Sequence, residues 1–165
     1  MSASARLICV MGVAGSGKSS IGAALAGAVG AVFIEADAYH PPANVEKMTA
    51  GVPLTDEDRW PWLDALGAAA PRTGRVVIAC SALRLVYRQR LARAAGEPVF
   101  FVHLAGARDV IAGRMAARSG HFMPTALLES QFATLEPPAP PEPHLTLDIS
   151  DPPERLIAIA LEKIA

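Results

Sequence analysis

The run Leu7-Ile8-Cys9-Val10-Met11 leads directly into Gly12-Val13-Ala14-Gly15-Ser16-Gly17-Lys18-Ser19, and these two segments decide the fold. A short apolar run closed by glycine suits a strand buried on both faces. The eight residues after it fit G-x-x-x-x-G-K-[ST] at every position. They stand between a predicted strand and a predicted helix, the context in which that pattern is a phosphate-binding loop. Each residue type has a physical reason. Glycines turn the backbone tightly and bring N–H groups against phosphate oxygens. The helix opening at Lys18 adds its positive N-terminal end. Lys18 is a point charge for the β- and γ-phosphates, and the Ser19 hydroxyl is an oxygen ligand for Mg²⁺. Gly12, Val13, Ala14, Gly15, Ser16, Gly17, Lys18, Ser19 and Ser20 are therefore the expected nucleotide contacts, with ATP and Mg²⁺ as cofactors. Lysine is scarce in this chain (Lys18, Lys47 and Lys163), so one at this position by accident is a poor explanation.

Outward from this core the pattern repeats. Lys18 to Val29 is helical, with Ile21, Leu25 and Val29 on one stripe. Ala31 to Ile34 reads as a second strand, followed by a polar stretch with a short helix from Asn44 to Ala50. A further helix runs from Asp56, the expected N-cap, toward Ala70. Strands are predicted at Val76 to Cys80, Val99 to Leu104 and Leu145 to Ile149. Helices are predicted at Leu83 to Ala95, Ala107 to Arg118, Ala126 to Leu135 and Glu154 to Ile164. Five prolines in the seven residues Pro137 to Pro143 exclude helix and central strand, and read as a stiff surface connection. Strand–helix alternation repeated five times calls for an α/β fold, a parallel sheet with helices on both faces. Residues 1–165 are read as one domain.

Composition narrows the function. The 165 residues are 52% hydrophobic and 19% charged, with formal net charge −1, which fits a globular chain and gives no broad basic field for nucleic acid. No apolar run approaches a membrane span, and the N-terminus lacks a secretory pattern, so a cytoplasmic location is expected. Cys9 and Cys80 sit in apolar runs and read as reduced, buried thiols.

The phosphate loop does not by itself separate a kinase from a switch or a motor. Glu35 and Asp37 end the second strand, where open α/β sheets place their ligands. Two carboxylates there can serve a metal and a substrate hydroxyl separately, or simply form a turn. The third strand ends in Cys80-Ser81 and not in the acid common in ATPases and GTPases, and no N-K-x-D motif follows. Both features lean toward a small-metabolite kinase. Arg114 and Arg118 share one helix face before Gly120-His121-Phe122, a pattern that suits a phosphate-binding lid over about residues 114–135.

More specific motifs follow. Asp37-Ala-Tyr-His40-Pro41-Pro-Ala-Asn44, Lys47-Met48, Gly51, Pro53-Leu54-Thr-Asp56, Asp58-Arg59-Trp-Pro61-Trp62-Leu63, Cys80-Ser81-Ala82-Leu83-Arg84, Tyr87-Arg88, Gly120-His121-Phe122, Ser130-Gln131-Phe132 and Leu135-Glu136 occur in that order. Together they resemble the gluconokinase family over nearly the whole chain. The resemblance implies a three-layer P-loop kinase fold of the nucleoside-monophosphate-kinase type, with a five-stranded parallel sheet and a mobile lid. It implies transfer of phosphate from ATP to D-gluconate, giving 6-phosphogluconate, and a homodimer. It also places the strand ending at Asp37 beside the phosphate-loop strand. Lys18, Asp37 and Arg118 are then the catalytic candidates, with Arg114 and Arg118 also on the nucleotide. Ser19 and Glu35 would hold the metal, Glu35 through water; Glu35 stands where the family usually has Asp.

Gluconate is a polyol with one carboxylate. Asp37, His40 and Asn44 are candidates for its hydroxyls, Arg59, Arg84 and Arg88 for its acid group, and His121 for a further contact with the substrate. His40 is equally readable as a turn residue, and Trp60 and Trp62 as packing residues. Two other readings stand beside this one: a kinase of the same fold with another acceptor, such as shikimate or a nucleotide, and a non-catalytic nucleotide-binding regulator.

Overall fold

The computed structural model describes residues 5–117 and 125–164. At its centre lies β1 (Leu7–Met11), every residue of which is buried. The chain continues through α1 (Lys18–Val29), β2 (Val32–Glu35), a single 3₁₀ turn (Ala36–Tyr39), α2 (Pro42–Thr49) and α3 (Asp56–Ala69). Next come β3 (Val76–Ala79), α4 (Leu85–Ala95), β4 (Phe100–Ala105), α5 (Arg108–Ala117), α6 (Thr125–Thr134), β5 (His144–Asp148) and α7 (Pro153–Ile164). The strands form one sheet in the order β2-β3-β1-β4-β5, and all four pairings are parallel.

The period-two geometry of a strand explains the three layers. Ile8 and Val10 point to the face covered by α1 and α7, where they meet Ile21, Leu25, Leu156 and Ala160. Leu7, Cys9 and Met11 point to the opposite face and pack with Trp62, Leu63, Leu66 and Leu91 of α3 and α4. Each such side chain contributes roughly 1.5–3 kcal/mol by leaving water, which is why the strand tolerates no polar residue. Cys9 and Cys80 are both free and buried, and burial pushes the Cys9 thiol well up.

Three expectations change. The strand before Asp37 is not the neighbour of the phosphate-loop strand: the crossover through α1 skips one position, and β3 fills the slot between β1 and β2. Thr55, not Asp56, caps α3. The Thr55 hydroxyl accepts from the Asp58 amide at 3.1 Å, and the Asp58 carboxylate accepts from the Thr55 amide at 2.9 Å. That reciprocal box satisfies two otherwise unpaired N–H groups, which a cap at Asp56 could not do. The turn bearing Asp37 is a 3₁₀ turn where the sequence showed only a polar stretch.

Candidate active site

The phosphate loop leaves the carboxyl end of β1 and enters α1 at Lys18. Two of its glycines are required for different reasons. Gly15 has φ 79°, and a Cβ there would lie 2.6 Å from Met115 Cγ on α5, so both backbone and space exclude a side chain. Gly17, which precedes α1, has φ 95° with nothing within 4 Å, so only its left-handed backbone calls for glycine. The Ser16 hydroxyl is buried with no hydrogen-bond partner among the described residues.

Ser19 donates to Glu35 Oε2 at 2.5 Å, while Glu35 Oε1 is buried without a partner among the described residues. A hydroxyl and a half-satisfied carboxylate against a phosphate loop are hard oxygen donors of the kind Mg²⁺ takes. Among the described residues no three His, Cys, Asp or Glu side chains converge to hold a metal unaided, so such an ion would complete its shell from phosphate and water.

Beside the loop opens a cavity of about 390 Å³. Its polar wall includes Lys18, Asp37, His40, Arg59, Ser81 and Gln131, set among apolar residues such as Leu54, Trp62 and Leu127. The size falls within the range usual for small-molecule sites. Asp37 comes from the 3₁₀ turn after β2, Arg59 from α3 and Gln131 from α6. The Asp37 carboxylate makes no hydrogen bond or ion pair with a described residue, so its lone pairs remain available to a ligand.

His40 is oriented from two sides. Its ring stacks on Trp62 with centroids 4.1 Å apart and planes 17° off parallel. The Asn44 amide nitrogen lies 3.2 Å from His40 Nδ1 and donates to the Asp58 carbonyl at 2.9 Å. An amide nitrogen can only donate, so Nδ1 accepts and the proton of the neutral ring sits on Nε2. Burial holds the His40 pKa below its ordinary value; Asp37 opposes that shift and Arg59 adds to it. Asn44 is thus a buried support for His40 and does not line the cavity, contrary to its expected place on the substrate. Trp62 is a packing residue whose indole N–H donates to the Ala36 carbonyl at 2.8 Å, and its ring also forms cavity wall.

The three arginines proposed for an acidic substrate separate cleanly. Arg59 lines the cavity. Its Nη1 donates to the Leu54 carbonyl at 2.6 Å and to the Tyr87 hydroxyl at 3.0 Å, with the guanidinium 4.8 Å from the Tyr87 ring centre. Tyr87 in turn donates to Asp56 at 2.5 Å. That bond is the main cause holding the Asp56 carboxyl below its ordinary pKa, while burial chiefly pushes the Tyr87 hydroxyl up.

Arg84 is outside the cavity wall, bound to Asp56 at 2.7 Å. Arg88 is only 2% exposed and all three guanidinium nitrogens are engaged, on Glu142 at 2.7 and 3.2 Å, on the Ala82 carbonyl at 2.7 Å and on the Glu136 carbonyl at 3.0 Å. Arg88 is therefore corrected from a ligand cation to a structural one, while Arg84 is held by Asp56 apart from the cavity wall. Arg88 anchors the proline-rich connection through Glu142.

Arg114 donates to the Ile149 carbonyl at 2.5 Å, tying α5 to the end of β5. Arg118 and His121 lie outside the described residues. Sequence reasoning gave no role to Gln131, although its amide oxygen accepts from the Ala14 amide of the phosphate loop at 2.7 Å. The Ser130-Gln131-Phe132 motif was the only signal pointing to it.

A parallel sheet with a phosphate loop at the end of its central strand, and an acceptor cavity beside that loop, defines a P-loop kinase fold. The AAA domain family matches residues 7–138. The gluconokinase of Gluconobacter oxydans (strain 621H) is 48% identical, over 84% of this chain and 79% of its own. The thermoresistant gluconokinase of Escherichia coli (strain K12) is 44% identical, over 94% of this chain and 91% of its own. The crystal structure of a gluconokinase from Sinorhizobium meliloti 1021 superposes with a TM-score of 0.90 at 46% identity, covering 99% of this chain and 93% of that one. The chain belongs to the gluconokinase family.

Proposed function

We propose that this chain transfers the γ-phosphoryl group of ATP to the terminal hydroxyl of D-gluconate, giving ADP and 6-phospho-D-gluconate. The observation that carries the reading is the convergence on one cavity of Lys18, Asp37, His40 and Arg59, two of them cations and two of them hydrogen-bonding partners for hydroxyls. Arg59 keeps donors beyond the Nη1 fixed by Leu54 and Tyr87. Its planar fork, held in place, suits a carboxylate. The Nε2–H of His40 donates to a hydroxyl of the polyol chain.

Asp37 accepts the hydrogen bond of the attacking hydroxyl. As the new O–P bond forms and the bond to the β-phosphate oxygen breaks, the proton passes to Asp37. Lys18 stabilises the charge shifting on the phosphates. Ser19 and Glu35 would hold Mg²⁺, which when bound neutralises phosphate charge. A nucleotide-binding regulator would leave Asp37 and Arg59 without a task.

ADP release from ATP and Mg²⁺ measured across sugar acids, polyols, shikimate and nucleoside monophosphates tests the proposal. Gluconate is expected to give the strongest acceptor-dependent turnover. Turnover with shikimate or a nucleotide but none with gluconate would overturn it.

A further inference from the structure

We infer that Gln131 is a positioning residue that couples the two substrates: its amide holds the Ala14 N–H until the transferable phosphate displaces it, and then turns to the acceptor. This rests on the acceptor assignment above. The contact joins residues 117 positions apart at 2.7 Å. It differs from the Ser16 amide, which donates within the loop to the Val13 carbonyl at 3.2 Å. An N–H of a phosphate cradle is here held by a side chain from the acceptor wall.

Three observations give the contact direction. First, Ala14, Lys18 and Gln131 all line the acceptor cavity. The phosphoryl group presented to an acceptor therefore lies on the Ala14 side of the loop. Second, a charged phosphate oxygen makes roughly twice as strong a hydrogen bond as a neutral amide oxygen, so a triphosphate wins the Ala14 N–H from Gln131. ADP lacks the transferable group and leaves the contact in place.

Third, the chain is tied down just past the end of α6, at Glu136. The Glu136 amide donates to the Leu83 carbonyl at 2.7 Å, and the Glu136 carboxylate accepts from the Leu85 amide at 2.9 Å at the start of α4. The backbone is thus anchored while the side chain swings. The released amide carries two donors and an acceptor, and it sits in a cavity already walled by Asp37, His40 and Arg59. It adds a hydroxyl partner only when a triphosphate is bound. By linkage the effect is reciprocal.

Calorimetric titration of gluconate into the full chain tests this, with no nucleotide, with Mg²⁺ and ADP, and with Mg²⁺ and a β,γ-imido ATP analogue. In the wild type the analogue is expected to tighten gluconate at least about fivefold relative to ADP, the low end of usual couplings. Gln131→Ala is expected to bring the nucleotide states within about twofold of one another. Gln131→Glu keeps the size and the acceptor for Ala14, but its charge repels the incoming phosphate. It is expected to weaken the analogue about tenfold while leaving ADP within about twofold.

The inference is overturned by equal gluconate affinity with ADP and analogue in the wild type. It is equally overturned by full coupling in Gln131→Ala, or by wild-type analogue affinity in Gln131→Glu, with thermal melting confirming that each variant is folded. Gluconate binding without coupling sinks this inference alone. Failure of gluconate to bind in any state sinks the acceptor assignment and this inference with it.

Discussion

The phosphate loop and the acceptor wall share one cavity but are built in opposite ways. The loop is contiguous, Gly12 to Ser19, and its backbone N–H groups work with the adjacent Lys18 and Ser19 side chains in a geometry that local sequence dictates. The wall gathers Asp37 and His40, Arg59, and Gln131 from three separate segments. Two of them depend on side chains behind them: His40 on Trp62 and Asn44, Arg59 on Tyr87 and Asp56. A backbone site travels as a motif, whereas a side-chain site must be held together by the fold. Substitutions in the loop should therefore damage the chemical step, and substitutions in the wall should damage recognition of the acceptor.

The largest expected effect is on the loop. Lys18→Ala should lower kcat by more than about a hundredfold, a loss of roughly 3 kcal/mol in transition-state stabilisation. Nucleotide affinity measured by calorimetry should fall much less. Near-normal turnover by a folded Lys18→Ala chain would break the division between loop and wall at its strongest point.

Asp37 sits on the boundary, in the wall but proposed to act on the reacting hydroxyl. Asp37→Asn keeps the size and some hydrogen bonding but removes the proton acceptor. A fall in kcat of about 10² is expected, with ATP affinity unchanged. Wild-type kcat in steady-state kinetics would transfer attention to His40.

Arg59 sharpens the comparison from the recognition side. Arg59→Ala should raise the KM for gluconate about thirtyfold, corresponding to loss of a charge-assisted hydrogen bond worth about 2 kcal/mol, and change kcat less. Arg84→Ala, outside the cavity, should change KM less than about threefold, as expected for a partly exposed ion pair. Equal effects of the two substitutions would mean that the cavity wall has been drawn wrongly.

The smallest effect concerns pH. The folded-state pKa of His40 lies below its ordinary 6.5, chiefly through burial. Above that ordinary value the ring is neutral in both folded and unfolded chains. As pH falls below 6.5 the unfolded chain takes up the proton first, so stability declines toward the lowered folded pKa. Once the folded ring protonates, Nδ1 becomes a donor facing the Asn44 amide donor and the support is lost. The KM for gluconate should be flat from pH 8 to about 6.5 and rise a few-fold on further acidification. His40→Gln should flatten that rise.

Legibility in the sequence follows the same division. The start of α1 at Lys18 and the run of β1 could be read directly, because a glycine motif and a fully apolar strand carry their environment in their composition. The cap of α3 could not be assigned with the same security. Thr55 and Asp56 are both good caps, and the reciprocal bonds between Thr55 and Asp58 settle the matter only in space. Arg59, Arg84 and Arg88 were indistinguishable as letters, since charge and side-chain reach are the same for all three.

The sequence by itself determined the phosphate loop, the alternation of strand and helix, and the family, because each is encoded in local spacing or in motifs kept in order. The tertiary structure decided the strand order, with β3 between β1 and β2, since crossovers leave no local trace of which slot they skip. It alone separated the cation that faces the cavity from the one spent on Glu142, because what an arginine does depends on the groups within hydrogen-bond reach. It alone brought Gln131 to Ala14, a contact made by folding together segments that share no sequence neighbourhood.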